Sequence, residues 1–208
     1  MQPAVRACGE AEVLAHLALL ERESVPAFER LAAELATHGA PDALVRDAKR
    51  AANDERMHAR VMTRLARRAG ATVPRWRPSR GPVRPLRALA EENAREGCVR
   101  ETFGALVAAW QCVRAADPKL RAAMRVIARD ETRHAALAWR VDAWARGRLS
   151  VDECASLDAI RDREVQALRE EVRRPTEARR RALGFPCGDD AQRLVAACTQ
   201  GLWQEARA

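Results

Sequence analysis

The pattern Asp-Glu-x-x-His-Ala occurs twice in this chain, as Asp54-Glu55-Arg56-Met57-His58-Ala59 and as Asp130-Glu131-Thr132-Arg133-His134-Ala135. On an α-helix, residues three apart share a face. Glu55 therefore points the same way as His58, and Glu131 the same way as His134. A carboxylate beside an imidazole is half of a site for a first-row metal. One Glu-x-x-His is weak in a chain with 18 glutamates among 208 residues, because short motifs arise by chance. Here, however, the chain has only four histidines, two of them fill the pattern, and both copies carry the same flanking Asp and Ala. The plainer alternative is two solvated Glu–His pairs on an Arg-rich helical surface.

Everything around the motif reads as helix. Ala, Leu, Arg and Glu dominate, and Gly and Pro cluster in a few places, which favours an all-α chain. No run alternates apolar and polar residues in the manner of a strand. After a loose tail at residues 1–9, the spacing predicts a first helix over about residues 10–37, with Leu14, Leu17, Glu21, Phe28, Leu31 and Leu35 on its apolar stripe. Glu21 fills a core slot there, where a carboxylate is costly unless paired or metal-bound. Glu23, Arg30 and Glu34 fall on a polar face. Gly39 and Pro41 predict a tight turn. In the second helix, to about residue 69, Glu55 and His58 hold consecutive core positions between Ala51 and Met62.

Pro74, Pro78, Pro82 and Pro85, together with Trp76 and Gly81, exclude helix over residues 70–85. Two antiparallel neighbours need only a short turn, so this length predicts a chain that crosses the bundle. The third helix, about residues 86–116, carries a large apolar stripe of Leu89, Val99, Phe103, Leu106 and Trp110 on which Glu96 falls. Glu101 falls on a second line of small residues: Ala94, Cys98, Ala105, Ala108 and Cys112. Asp117-Pro118 opens the fourth helix, where Met124, Ile127, Glu131, His134, Ala138 and Val141 share a stripe. Ser150 and Glu153 form a capping box that opens a helical extension over residues 150–208. No catalytic pattern occurs in the extension, which is expected to pack on the bundle of residues 10–146.

The order is thus Glu, Glu-x-x-His, a long crossover, Glu, Glu-x-x-His. Glu21 precedes Glu55 by 34 residues and Glu96 precedes Glu131 by 35, which sets the members of each helical hairpin at similar height. Glu101 is the alternative on the third helix. The two lie five residues apart, about 140° around an α-helix, so both cannot face one metal pair.

This ordered pattern resembles the ferritin-like superfamily of di-iron carboxylate proteins over about residues 10–146. A local feature is similar to the bacterial tRNA-hydroxylase branch: two Glu five apart on the third helix, Glu96 and Glu101, followed by Phe103. The resemblance implies a ferritin-like four-helix bundle holding two iron ions, with manganese as the other candidate. Glu21 and Glu96 would be terminal ligands, Glu55 and Glu131 bridging ligands, and His58 and His134 one imidazole per metal. Glu101 would be a substitute for Glu96 or an outer neighbour. Asp54 and Asp130 would each fix the tautomer of one ring, either across helices or within one.

The implied activity is oxidase or monooxygenase chemistry with O₂ or peroxide, on an unidentified small-molecule or RNA substrate. The chain departs from the superfamily in places. It has no tyrosine, which excludes a tyrosyl-radical role. It has no Cys-x-x-Cys pairs for a rubredoxin-like module, and its Arg- and Pro-rich crossover does not suit a storage cage. Two other classes stand beside the enzyme: an iron-oxidising storage or detoxification protein, and a non-catalytic helical scaffold or RNA-binding protein.

The net charge of +8 comes almost wholly from Arg, Lys49 and Lys119 being the only lysines. The Arg is interleaved with acids on every helix, which reads as solvated faces rather than a nucleic-acid footprint. Cys8, Cys98, Cys112, Cys154, Cys187 and Cys198 show no zinc or disulfide spacing. With no signal-peptide pattern and no apolar span, a cytoplasmic location is expected. The sequence sets neither the electron donor nor the oligomeric state.

Overall fold

The computed structural model describes the backbone of residues 3–75, 77, 81–174 and 178–203, and their side chains except those of residues 3–8 and 179. Cys8, Trp76, Pro78 and residues 204–208 lie outside the described side chains. Among the described residues the chain is all-helical. The first helix, α1 (Pro3–Thr37), starts at Pro3, so the tail expected over residues 1–9 is helical from that residue. A tight turn leads to α2 (Asp42–Arg68). In this turn Gly39 has φ of 69°, its N–H donates to the Ala36 carbonyl, and the Ala40 N–H donates to the Leu35 carbonyl. This is the left-handed helix stop that glycine adopts without steric cost. α1 and α2 pack along most of their length, and Arg22 meets Thr63 while Glu29 meets Arg56, as antiparallel partners do.

The second hairpin is less regular. It begins as α3 (Leu86–Glu92), continues as a π-helical segment (Asn93–Glu101), and resumes as α4 (Thr102–Arg114). Asp117 then caps α5 (Pro118–Arg146) through the Lys119 N–H, with Pro118 in the first turn. The seam between α2 and α5 is antiparallel: Asp47 pairs with Arg140, Asp54 with Arg133, and Arg68 with Asp117. The crossover is pinned to α1. Glu34, expected on a polar face, is instead fully buried, because Arg84 of the crossover lies over it with two guanidinium nitrogens and its backbone N–H directed at the carboxylate.

The capping box at Ser150 and Glu153 forms with both of its hydrogen bonds and opens α6 (Val151–Arg173). A short helix, α7 (Ala178–Ala182), precedes α8 (Asp189–Cys198), which ends in a π-helical turn (Thr199–Trp203). Leu168 and Val165 of α6, with Val195, Cys198 and Trp203, form a cluster against Val99, Phe103 and Leu106. Val99, Phe103 and Leu106 of the third helix's large apolar stripe therefore face the extension, while Leu89 lies in the bundle core. The helix's line of small residues, Ala94, Cys98, Ala105 and Ala108, is the buried face toward the bundle. No described helix is long and apolar enough to cross a membrane.

Candidate metal centre

Four helical elements bring six side chains together. Glu21 comes from α1, Glu55 and His58 from α2, Glu101 from the end of the π-helical segment, and Glu131 and His134 from α5. Ligand atoms of Glu21, Glu55, His58 and Glu131 all lie within 4.8 Å of one another, as do those of Glu101, Glu131 and His134. Glu131 belongs to both sets. Its Oε1 is 3.4 Å from His58 Nδ1 and its Oε2 is 3.6 Å from His134 Nδ1. Glu55 also reaches both rings, at 3.8 Å from His58 Nδ1 and 3.1 Å from His134 Nδ1. Two carboxylates thus lie between two imidazoles, with Glu21 at 3.4 Å from His58 Nδ1 on one side and Glu101 on the other.

Glu96, the expected ligand on the third helix, is exposed and outside the cluster, and Glu101 takes that place. The stripe that carries Glu96 turns to the extension at Val99, Phe103 and Leu106, whereas the line that carries Glu101 faces the bundle, and a π-helical segment lies between the two glutamates. A π-helix closes its hydrogen bonds five residues apart rather than four, so each residue turns the chain by less than in an α-helix. Glu101 nevertheless stays on the line of small residues, Ala94, Cys98, Ala105 and Ala108, that faces the bundle. Gly97 permits the segment: a Cβ there would lie 2.6 Å from the Ala138 Cβ, so only glycine lets it approach α5 this closely. Asn93 ties the same turn to the Ala138 carbonyl at 2.9 Å. The Trp203 indole N–H, buried under the extension, donates to the Cys98 carbonyl at 2.8 Å. A distorted helical ladder needs such outside donors for the carbonyls it displaces.

Each ring is held from behind by an Asp of the opposite helix. His58 Nε2 is 3.2 Å from Asp130 Oδ2, and His134 Nε2 is 3.4 Å from Asp54 Oδ2. An ionised carboxylate only accepts, so Nε2 carries the hydrogen in both rings. His58, Arg129 and Arg133 hold Asp130 below its ordinary pKa against the upward push of burial. Phe28 packs against the His134 ring at 5.0 Å between centroids. Nδ1 of each ring is buried and has no hydrogen-bond partner. Two fixed rings with orphaned nitrogens aimed between shared carboxylates suit a pair of divalent ions. That arrangement decides what the site can hold.

Comparison with protein-family models, curated proteins and solved structures finds no match to this chain. The reading of the site accordingly stands on its geometry and chemistry.

Without metal, the cluster is held together by protons. Burial alone would lower the pKa of His58, but the carboxylates of Glu131 and Glu21 beside it raise it to about 11; for His134, those of Glu131 and Glu55 raise it to about 10. Burial raises Glu55 to about 8 and Glu101 well above the carboxylate range, with the charge of Glu131 adding to both. Glu131 goes the other way despite its burial, because His134 and His58 both lie against it. Metal ions and protons therefore compete for the same side chains. Loading should release protons, and metal affinity should rise with pH. A pH-stat titration in unbuffered solution measures this; fewer than one proton per metal ion would rule the exchange out.

Sequence reasoning missed the space beside the cluster. α1 and α4 barely touch, and between them lies a cavity of about 900 Å³ whose inner end includes Glu21, Glu55, Glu101 and Glu131. The signal was the small-residue line of the third helix, with Gly104 and Ala108 on the cavity wall.

Proposed function

We propose that this chain is a ferritin-like di-metal carboxylate protein, a four-helix bundle that binds two iron ions, or manganese, and oxidises an organic substrate. The observation that carries the reading is the pair of buried, unpartnered Nδ1 atoms of His58 and His134 facing the shared carboxylates Glu55 and Glu131. Reduced iron held there would supply the electrons for O₂ or peroxide chemistry. The chain's own contribution is positional. Asp130 and Asp54 keep each ring in the tautomer that leaves Nδ1 available. Glu55 and Glu131 span the two positions, and Glu21 and Glu101 close the ends. Phe28, buried against the His134 ring, keeps bulk water from that side of the cluster.

The cavity favours catalysis over iron storage. It is large enough for an organic molecule, and it ends on the carboxylates of the cluster. Protein prepared with iron should contain two equivalents per chain and show the near-ultraviolet absorption of carboxylate-bound ferric iron. Glu101→Gln should lose one equivalent while Glu96→Gln keeps both. Two equivalents in Glu101→Gln, or none in the parent protein, would refute the assignment.

A further inference from the structure

The cavity has two unlike ends, and the difference says what it is built to receive. At the inner end are the four carboxylates of the candidate metal centre. Along its length the wall is apolar, with Leu17 and Leu20 of α1 facing Phe103 and Val107 on the other side, and Ile127 and Leu168 completing it. Leu20 remains 44% exposed, although it is large and apolar. On the solvent-exposed part of the lining are the guanidinium groups of Arg174 and Arg180, together with His16 and with Glu12, which has a partner of its own.

The charges along this path are unequally satisfied. Arg100, which also lines the cavity, is neutralised by Glu164 and Glu171, each at 2.6 Å. Gln111 gives its amide N–H to the Leu183 carbonyl. Arg180 lies over the Phe185 ring, 4.3 Å from its centroid, and among the described residues neither it nor Arg174 pairs with a carboxylate. A largely apolar cavity with two cations on its exposed side that no described carboxylate pairs, and a cluster of carboxylates on its buried side, is polarised. A molecule entering it is drawn to place negative charge outward and apolar carbon inward.

We propose that this cavity binds an organic anion with an extended apolar body, its charged group held by Arg174 and Arg180 and its apolar end against the di-metal cluster. Binding follows from the cavity itself. Only the further statement that the bound molecule is the substrate rests on the di-metal reading. Gly104 offers a way to test the cavity without touching either end. It lies on the wall, and a Cβ built on it meets nothing within 4 Å. A larger side chain there projects into the cavity, and replacing a helical glycine does not cost helix stability.

The probe is decanoate, with decanol as its uncharged counterpart, titrated calorimetrically into the full chain in metal-free and iron-loaded form, with iron content measured on the same samples. Decanoate should bind at least tenfold more tightly than decanol. Gly104→Phe should weaken both ligands at least tenfold and keep its metal. Arg174→Gln with Arg180→Gln should weaken decanoate about tenfold and leave decanol unchanged. Absence of decanoate binding to both forms of the protein, or unchanged affinity in Gly104→Phe, would overturn the proposal. So would equal binding of the two probes. Iron content reads the di-metal assignment separately: a protein that takes up no iron on loading but still binds decanoate refutes that assignment and leaves the cavity's specificity standing.

Discussion

Replacing Glu131 with alanine should empty both metal positions at once. Glu131 is the one side chain common to both ligand groups, with its two oxygens directed to different rings. Removing a terminal group such as Glu101 leaves the His58 position with Glu21, Glu55 and Glu131. Removing Glu131 leaves neither position with more than one bridging carboxylate, and it also removes the ionised group that holds both imidazolium rings. In the metal-free protein the pKa values of His58 and His134 should then fall toward the ordinary range, since the Glu131 carboxylate is foremost among the groups that raise both. Metal analysis should give two equivalents for the parent protein and none for Glu131→Ala. Nuclear magnetic resonance of the two rings should show them titrating at lower pH. Two retained equivalents would mean that the cluster is not the metal site.

The parts of this centre that could be read from the sequence are those on regular helix. Glu55 with His58, and Glu131 with His134, sit on α2 and α5, where a period of 3.6 holds throughout. The crossed Asp54 and Asp130 contacts follow once these two helices are set antiparallel. The third helix defeated the same method because it has two candidate faces. Its most conspicuous apolar stripe, Val99, Phe103 and Leu106, is matched to the C-terminal extension and not to the bundle. A stripe shows that a face is buried but does not name its partner. The extension therefore has a structural part in the site: it covers that stripe and, through Trp203, supplies a donor to the distorted turn that delivers Glu101.

Glu34 shows the same limit at longer range. Its periodicity placed it on a polar face, and only a contact from a residue fifty positions away buries it. Arg161 is a third case. It lies on the buried stripe of α6, almost fully enclosed, over the Trp139 ring and bonded to Asp158. Helical spacing identifies such a position as internal, but the aromatic face and the carboxylate that let it hold an arginine come from tertiary packing.

Arg84→Ala should cost about 3–5 kcal/mol of folding stability, the usual effect of leaving a buried charge without its partner. The Arg84 side chain bonds both oxygens of Glu34, at 2.7 and 2.8 Å, and its backbone N–H bonds the same carboxylate at 3.1 Å. It also pairs with Glu92 of α3, which Arg30 of α1 meets at 2.8 Å. Its carbonyl lies 2.8 Å from the His38 ring. One residue thus joins the end of α1, the crossover and the start of the irregular third helix. Burial would raise the pKa of Glu34, but the bonds from Arg84 outweigh it and leave the carboxylate below its ordinary value. The stabilisation is therefore present at neutral pH and is lost as the pH falls through that lowered value. Thermal unfolding at pH 7 should show a drop of about 10 °C for Arg84→Ala, shrinking as the solution is acidified. Combining Arg84→Ala with Glu34→Gln should recover part of the loss, since the buried charge is then gone. A drop under 2 °C at pH 7, or no recovery in the double variant, would show that Glu34 does not depend on Arg84.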